Sequence, residues 1–148
     1  MSKQPASCNI IYDRDGAIKS FVCQNLGIST DWVGQESMTL GFISENQLIG
    51  GLIYHNIRLG CDLWWSIYTT SPKWCNKGIL CQIFGIAFKV FGVRRISLLV
   101  KADNQRCLNF IEKLGFKREG CLHQFNEDGT DSYIYGMLKS ENKWKGKK

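Results

Sequence analysis

The stretch SPKWCNKGILCQIFGIAFKVFG, residues 71–92, begins with two lysines, an asparagine and a glycine and then becomes almost wholly apolar. It is preceded by DLWWSIYTT (62–70), a β-branched and aromatic run, and followed by RRISLLVKA (94–102), a short run of Ile, Leu and Val. The spacing predicts strand, polar loop, helix over about 77–91, and strand again. A loop feeding a helix N-terminus carries unpaired backbone N–H groups and the positive end of the helix dipole, which together make an anion site. Gly78 permits close approach to the main chain, and Lys73 and Lys77 add positive charge at the rim.

Working outward, CNIIYD (8–13) reads as a first strand and DGAIKSFVCQNLG (15–27) as a helix stopped by Gly27. SMTLGFIS and LIGGLIYHNIR, joined by the turn ENQ, read as a hairpin in which Gly50 and Gly51 mark a bulge or close packing. DNQRCLNFIEKLGF (103–116) is a helix with Asp103 or Asn104 as N-cap and Gly115 as its stop. KREGCLHQF, the turn NEDGTD and SYIYGMLK form a closing hairpin. The fold class is α/β, a single domain around a mixed sheet.

At 148 residues with 44% hydrophobic residues, the chain fits one domain with a full core. Its longest apolar stretch, Gly78 to Phe91, is too short to span a bilayer. No secretory leader is visible at the N-terminus. The seven cysteines are scattered without a CxxC pair, which argues against a disulfide framework or a zinc site and suits a reducing cytoplasm. The net charge of +6 is concentrated in the last ten residues, which hold five lysines. Residues 142–148 are therefore expected to be a flexible basic tail behind a domain of residues 1–141, and a nucleic-acid partner is disfavoured because Trp144 alone is no stacking platform.

The strand–loop–helix–strand unit, DNQRCLNFIEKLGFKREGCL (103–122) and DGTDSYIYGMLKSE (128–141) together resemble the GNAT acetyltransferases, within them the RimJ/RimL-type branch and, closer still, small phage- or prophage-encoded members. EKLGFKREG is the most specific piece. The resemblance covers roughly residues 36–141. It implies a mostly antiparallel sheet of about six or seven strands with three or four helices, splayed between strands near 63–70 and 95–101. It also implies acetyl-CoA as cosubstrate, an amine acceptor on a protein or small molecule, and no metal. A homodimer is compatible with it.

The family's pyrophosphate loop, [QR]-x-x-G-x-[GA], falls on CNKGIL (75–80). Gly78 matches, whereas Cys75 stands for Gln or Arg and Leu80 for a small residue. The resemblance places the diphosphate on backbone donors of Asn76, Lys77, Gly78, Ile79 and Leu80, beside Lys73 and Cys75, with the pantetheine arm along Ile67, Tyr68 and Thr69 and a cofactor contact at Asn104. It puts Cys107 where RimL-like members carry a serine beside the CoA sulfur, and Ile111 where many members carry an acidic tyrosine. A glutamate of the family's penultimate strand falls on Asn126, leaving His123, His55 and Glu36 as further candidates for the base. These departures keep open an alternative, a catalytically degenerate CoA-binding or host-protein-binding phage protein.

Overall fold

The computed structural model describes residues 8–145. Seven strands form one sheet in the order β1-β2-β3-β4-β5-β7-β6. β1 (Cys8–Tyr12), β2 (Met38–Ser44), β3 (Gln47–Arg58) and β4 (Asp62–Thr69) form an antiparallel run, as do β5 (Arg95–Lys101), β7 (Ser132–Leu138) and β6 (Lys117–Leu122). The two runs meet at the parallel pair β4–β5. The helices are α1 (Ala17–Leu26), the single turn α2 (Thr30–Val33), α3 (Lys77–Gly85) and α4 (Gln105–Leu114). Among the described residues, no helix is long and apolar enough to cross a membrane.

Side chains alternate across the sheet and divide the core in two. Leu52, Tyr54, Leu63 and Trp65 point to the face covered by α3 and α4, with Ile83, Phe84, Leu108 and Ile111. Ile53 points to the other face, under Ile18, Val22 and Val33 of α1 and α2. Gly51 lets α1 settle there, and Gly50 lets β3 lie close to β4. A Cβ on Gly51 would lie 2.6 Å from Val22 Cγ2, and one on Gly50 would lie 2.6 Å from the Tyr68 carbonyl oxygen. The β2–β3 register also shifts between Phe42 and Ile43, so the glycine pair accompanies both close packing and a bulge.

Several boundaries differ from the sequence expectation. The helix expected to run to residue 91 is α-helical only to Gly85 and continues as a π turn over Ile86–Val90, closed by Phe91 N–H donating to Ile86 O at 2.9 Å. β6 ends at Leu122 and not at Phe125. Gln124 turns to φ +55° and donates its N–H to Asp131 Oδ1 at 2.8 Å, which breaks the ladder. Residues 142–144, placed by charge in a tail, pack on the domain: Asn142 is buried and Trp144 Nε1 donates to Leu114 O at 2.8 Å. Residues 146–148 lie outside the described residues.

Candidate active site

β4 and β5 are paired only from Asp62↔Arg95 to Trp65↔Leu98. Beyond that rung β4 runs on to Thr69 beside β3, and β5 runs on to Lys101 beside β7, so the two strands part and a gap opens in the middle of the sheet. Thr70 N–H donates to Ile49 O. Antiparallel alternation then directs the main-chain groups of Tyr68 to β3, and those of Ile67 and Thr69 toward the gap. The Tyr68 ring packs edge-on to Phe21 of α1, 5.7 Å between centroids. Tyr68 is thus committed to the sheet and to α1, whereas Ile67 and Thr69 present donors and acceptors to the gap.

Because β4 and β5 are parallel, the helices that follow them begin at the same end of the sheet. Ser71 Oγ accepts the Lys73 N–H and starts a 3₁₀ turn, Pro72–Trp74, whose Trp74 is buried against Phe42 and carries the chain into α3. Asn76 caps α3: its Oδ1 accepts the Ile79 N–H at 3.0 Å, and its carbonyl accepts that of Leu80. Its own N–H donates to Trp74 O. Of the five amides expected to face a diphosphate, those of Asn76, Ile79 and Leu80 are therefore engaged, because an asparagine before the helix closes its own cap. The Lys77 and Gly78 amides have no partner among the described residues. Leu80 itself lies in the core, while Cys75 is half-buried against it. Lys77 is exposed, and Lys73 stands 3.9 Å from Glu45.

Asn104, not Asp103, caps α4: its Oδ1 accepts the Cys107 N–H at 3.2 Å. The helix closes with a reciprocal turn at Gly115 (φ +112°), where the Phe116 N–H reaches Ile111 O. Cys107 packs against the core from the first turn, and burial pushes its thiol up to about 11. Such a thiol is protonated at neutral pH, so it is a hydrogen-bond donor and not a nucleophile.

On the α1 face, at the rung where the strands begin to part, His55 of β3 meets Ser66 of β4. His55 is fully buried, with Nε2 2.9 Å from Ser66 Oγ and Nδ1 2.5 Å from Asn56 Oδ1. An amide oxygen only accepts, so Nδ1 carries the proton and Nε2 accepts from the serine hydroxyl. Burial lowers the His55 pKa below its ordinary value and holds the ring neutral. Trp32 stands against this pair, its ring 6.2 Å from His55 and 6.3 Å from Trp64. An adjoining open cleft of about 710 Å³ is lined by Trp32, Trp64, Asp31, Glu36 and Asp62 among others. Asp62 is paired with Arg58 at 2.5 Å.

The other expected bases lie elsewhere. Asn126 sits in the β6–β7 turn, where its Nδ2 donates to Thr130 O, Asp131 O and Ser132 Oγ. A carboxamide engaged in this way holds a turn and takes no proton. His123 projects from the same hairpin with its side chain 82% exposed, facing Cys121 and Asp131. Arg94 and Arg95 lie at the opposite end of β5 from the gap, and Arg95 is held by Glu119. Ser66 and Trp32 stand in no motif; a diagonal count across the β3–β4 ladder, which pairs His55 with Trp64 and Ile53 with Ser66, is the signal that locates the serine.

No family model matches the chain. A curated relative, the uncharacterized N-acetyltransferase YoaA of Bacillus subtilis strain 168, is 28% identical over 79 residues, which cover 49% of this chain. The match spans 45% of that relative's length. Among solved structures, an F149G mutant of the spermidine N-acetyltransferase SpeG from Vibrio cholerae superposes with a TM-score of 0.71 at 15% identity, covering 90% of this chain and 95% of that one. A dodecameric structure of spermidine N-acetyltransferase from the same organism gives the same TM-score, identity and coverage. The parted central strands, the two helices that start beside the gap and these superpositions lead to one structural conclusion: this chain has the fold of the GNAT acetyltransferases.

Proposed function

We propose that the chain is an N-acetyltransferase that moves the acetyl group of acetyl-CoA directly to an amine. One observation carries the proposal: at the end of the sheet where β4 and β5 part, the Lys77 and Gly78 amides at the head of α3 are unengaged and the main chain of Ile67 and Thr69 faces the gap, two sets of polar groups that we read as one track for the cofactor. The diphosphate takes the two amides, with Lys73 and Lys77 screening its charge. The pantetheine amides pair along Ile67 and Thr69 as a further strand would. Asn104 retains a free-ended carboxamide Nδ2 for a cofactor oxygen.

The amine nitrogen attacks the thioester carbonyl carbon, an N–C bond forms, and the C–S bond breaks with its electron pair leaving on sulfur. The amine proton passes to Ser66 Oγ as the serine proton moves to His55 Nε2, which the Asn56 contact keeps in the accepting tautomer. The Cys107 thiol donates a hydrogen bond to the departing thiolate. This pair favours an active enzyme over a degenerate binder, since a fully buried neutral histidine bonded to a serine is a built proton acceptor.

For the acceptor we propose a cationic amine: the cleft beside the pair combines Asp31 and Glu36 with the Trp32 and Trp64 rings, which attract ammonium groups by charge and by their π faces. The likeness to spermidine N-acetyltransferases is in keeping with this. We also place the chain nearest the RimJ/RimL-type branch and phage-encoded members, on the EKLGFKREG motif, and in the cytoplasm, where its seven free thiols stay reduced. Assembly into a homodimer or larger oligomer accords with a dodecameric neighbour. Thiol release from acetyl-CoA, measured against polyamines, monoamines and peptides, tests the assignment; turnover with at least one cationic amine is expected, and no turnover with any acceptor would reduce the chain to a binder.

A further inference from the structure

The β6–β7 hairpin brings together three side chains that the transfer chemistry does not use. Cys121 Sγ lies 3.8 Å from His123 Nδ1 and 3.8 Å from Asp131 Oδ2, and His123 Nδ1 lies 3.4 Å from Asp131 Oδ2. A thiol, an imidazole and a carboxylate in contact suggest either a nucleophilic relay or a chelate, and the geometry separates the two. In a relay the histidine uses one ring nitrogen toward the nucleophile and the other toward the acid. Here the same nitrogen, Nδ1, faces both partners, so the three donor atoms converge on one point.

The separations also match a metal. Tetrahedral zinc, with bonds of about 2.3 Å to sulfur and about 2.0–2.2 Å to nitrogen and oxygen, sets S···N and S···O near ~3.6 Å and N···O near ~3.4 Å. The observed triangle needs adjustments of only a few tenths of an ångström to close on an ion. The carboxylate is aimed by its other oxygen, which accepts the Gln124 N–H at 2.8 Å, and the Asp131 carbonyl accepts the Ala102 N–H at 2.9 Å. Outer contacts of this kind fix the orientation of a ligand before the ion arrives.

We propose that Cys121, His123 and Asp131 form a three-ligand Zn²⁺ site, with water at the fourth position. One thiolate and one imidazole are borderline-soft donors, which select zinc or cobalt over magnesium or manganese. The thiol proton is released to solvent as the Zn–S bond forms. The site lies at the end of the sheet where β4 and β5 part, because β7 starts at Ser132 opposite Lys101, the last residue of β5. The ion therefore ties the hairpin tip, through Asp131, to Ala102 in the segment entering α4. The site is independent of the acetyltransferase assignment.

The test uses the full chain, reduced with a non-chelating phosphine, titrated with Co²⁺ as a spectroscopic probe and with Zn²⁺ in competition with a chromophoric chelator. One equivalent is expected to bind, with a thiolate-to-cobalt charge-transfer band and the intense visible bands of a four-coordinate ion. Cys121→Ser abolishes the charge-transfer band, and His123→Ala weakens Zn²⁺ binding at least ~10-fold. The His123 ring is 82% exposed, so its removal leaves the metal-free melting curve in place, and Cys107→Ser serves as a control that keeps the band. Absence of the band in the parent chain, or its survival in both Cys121→Ser and His123→Ala, overturns the proposal.

Discussion

Ser66 Oγ lies 2.9 Å from His55 Nε2, one residue beyond the last rung that joins β4 to β5. The position fixes its chemistry: the pair sits where main-chain pairing between the central strands ends, and a buried neutral imidazole is ready to take a proton. His55→Gln, which preserves polarity without a titratable ring, is expected to lower kcat by about 10²–10⁴. Acetyl-CoA affinity should be unchanged, because no track residue is touched. An unaltered kcat would remove His55 from the reaction.

The same pair sets a pH dependence. Desolvation, reinforced by the Lys19 charge and opposed by the Asn56 bond, lowers the His55 pKa from its ordinary value of 6.5. The base is active when neutral, so kcat is expected to hold down to about pH 6.5 and to fall only at lower pH. Stability follows the same sign. Below about pH 6.5 the unfolded chain binds this proton more readily than the folded one, so the contribution of His55 is lost as pH falls from there through its folded pKa. An acid limb with its midpoint above 6.5 would contradict the assignment.

Burial of Cys107 makes two expectations that separate donor from nucleophile. Its thiol, pushed up to about 11, should be alkylated slowly at neutral pH and faster as the pH rises toward that value, as peptide mass spectrometry would resolve. Cys107→Ala should lower kcat about tenfold through loss of the hydrogen bond to the leaving sulfur, with cofactor affinity spared. A kcat equal to that of the parent would leave Cys107 with a packing role alone.

Gly50→Ala tests the sheet itself. The new methyl would sit 2.6 Å from the Tyr68 carbonyl and 2.9 Å from Thr69 Cα, both backbone positions that cannot swing aside. A loss of about 1–3 kcal/mol in denaturant unfolding is expected. The damage falls on the segment of β4 that lines the gap, so acetyl-CoA affinity should weaken as well.

Truncation after Glu141 removes the docked Asn142 and Trp144. Loss of the half-buried indole and of its bond to Leu114 O should cost about 1–2 kcal/mol, measured by chemical denaturation. A truncated chain as stable as the parent would mean that the tail contributes nothing to the fold.

The fold was legible wherever periodicity and caps agree. β4 and β5 announce themselves by β-branched and aromatic runs, and α4 by Asn104 at one end and Gly115 at the other. What stayed hidden depends on register or on distant partners. α2 is one turn of four residues, too short for a periodic signal, yet it brings Trp32 to His55. The π turn after Gly85 has the same apolar composition as the α-helix before it. The His55–Ser66 pair exists only because β3 and β4 pair in one register. Asn126 lies in the NEDGTD turn that the residues predict and not in the strand that the resemblance implies, and β6 stops still earlier because Gln124 bonds to Asp131, seven residues on. Lysines drew Trp144 into a supposed tail, although a single indole N–H reaching Leu114 anchors it. The Cys121, His123 and Asp131 cluster was equally invisible, since no paired-cysteine spacing marks it.

The central claim is that the head of α3 holds a diphosphate on the Lys77 and Gly78 amides. Gly78→Val is the sharpest probe, because it bars close approach to the main chain; its Cβ meets only Asn76 Oδ1, at 3.3 Å, so the capping side chain must yield by a few tenths of an ångström. Titration calorimetry with acetyl-CoA should give one site in the parent chain and at least ~10-fold weaker binding in Gly78→Val, both measured at a temperature where their melting curves show them folded. Equal affinity in the two, or no binding to the parent, would contradict the account.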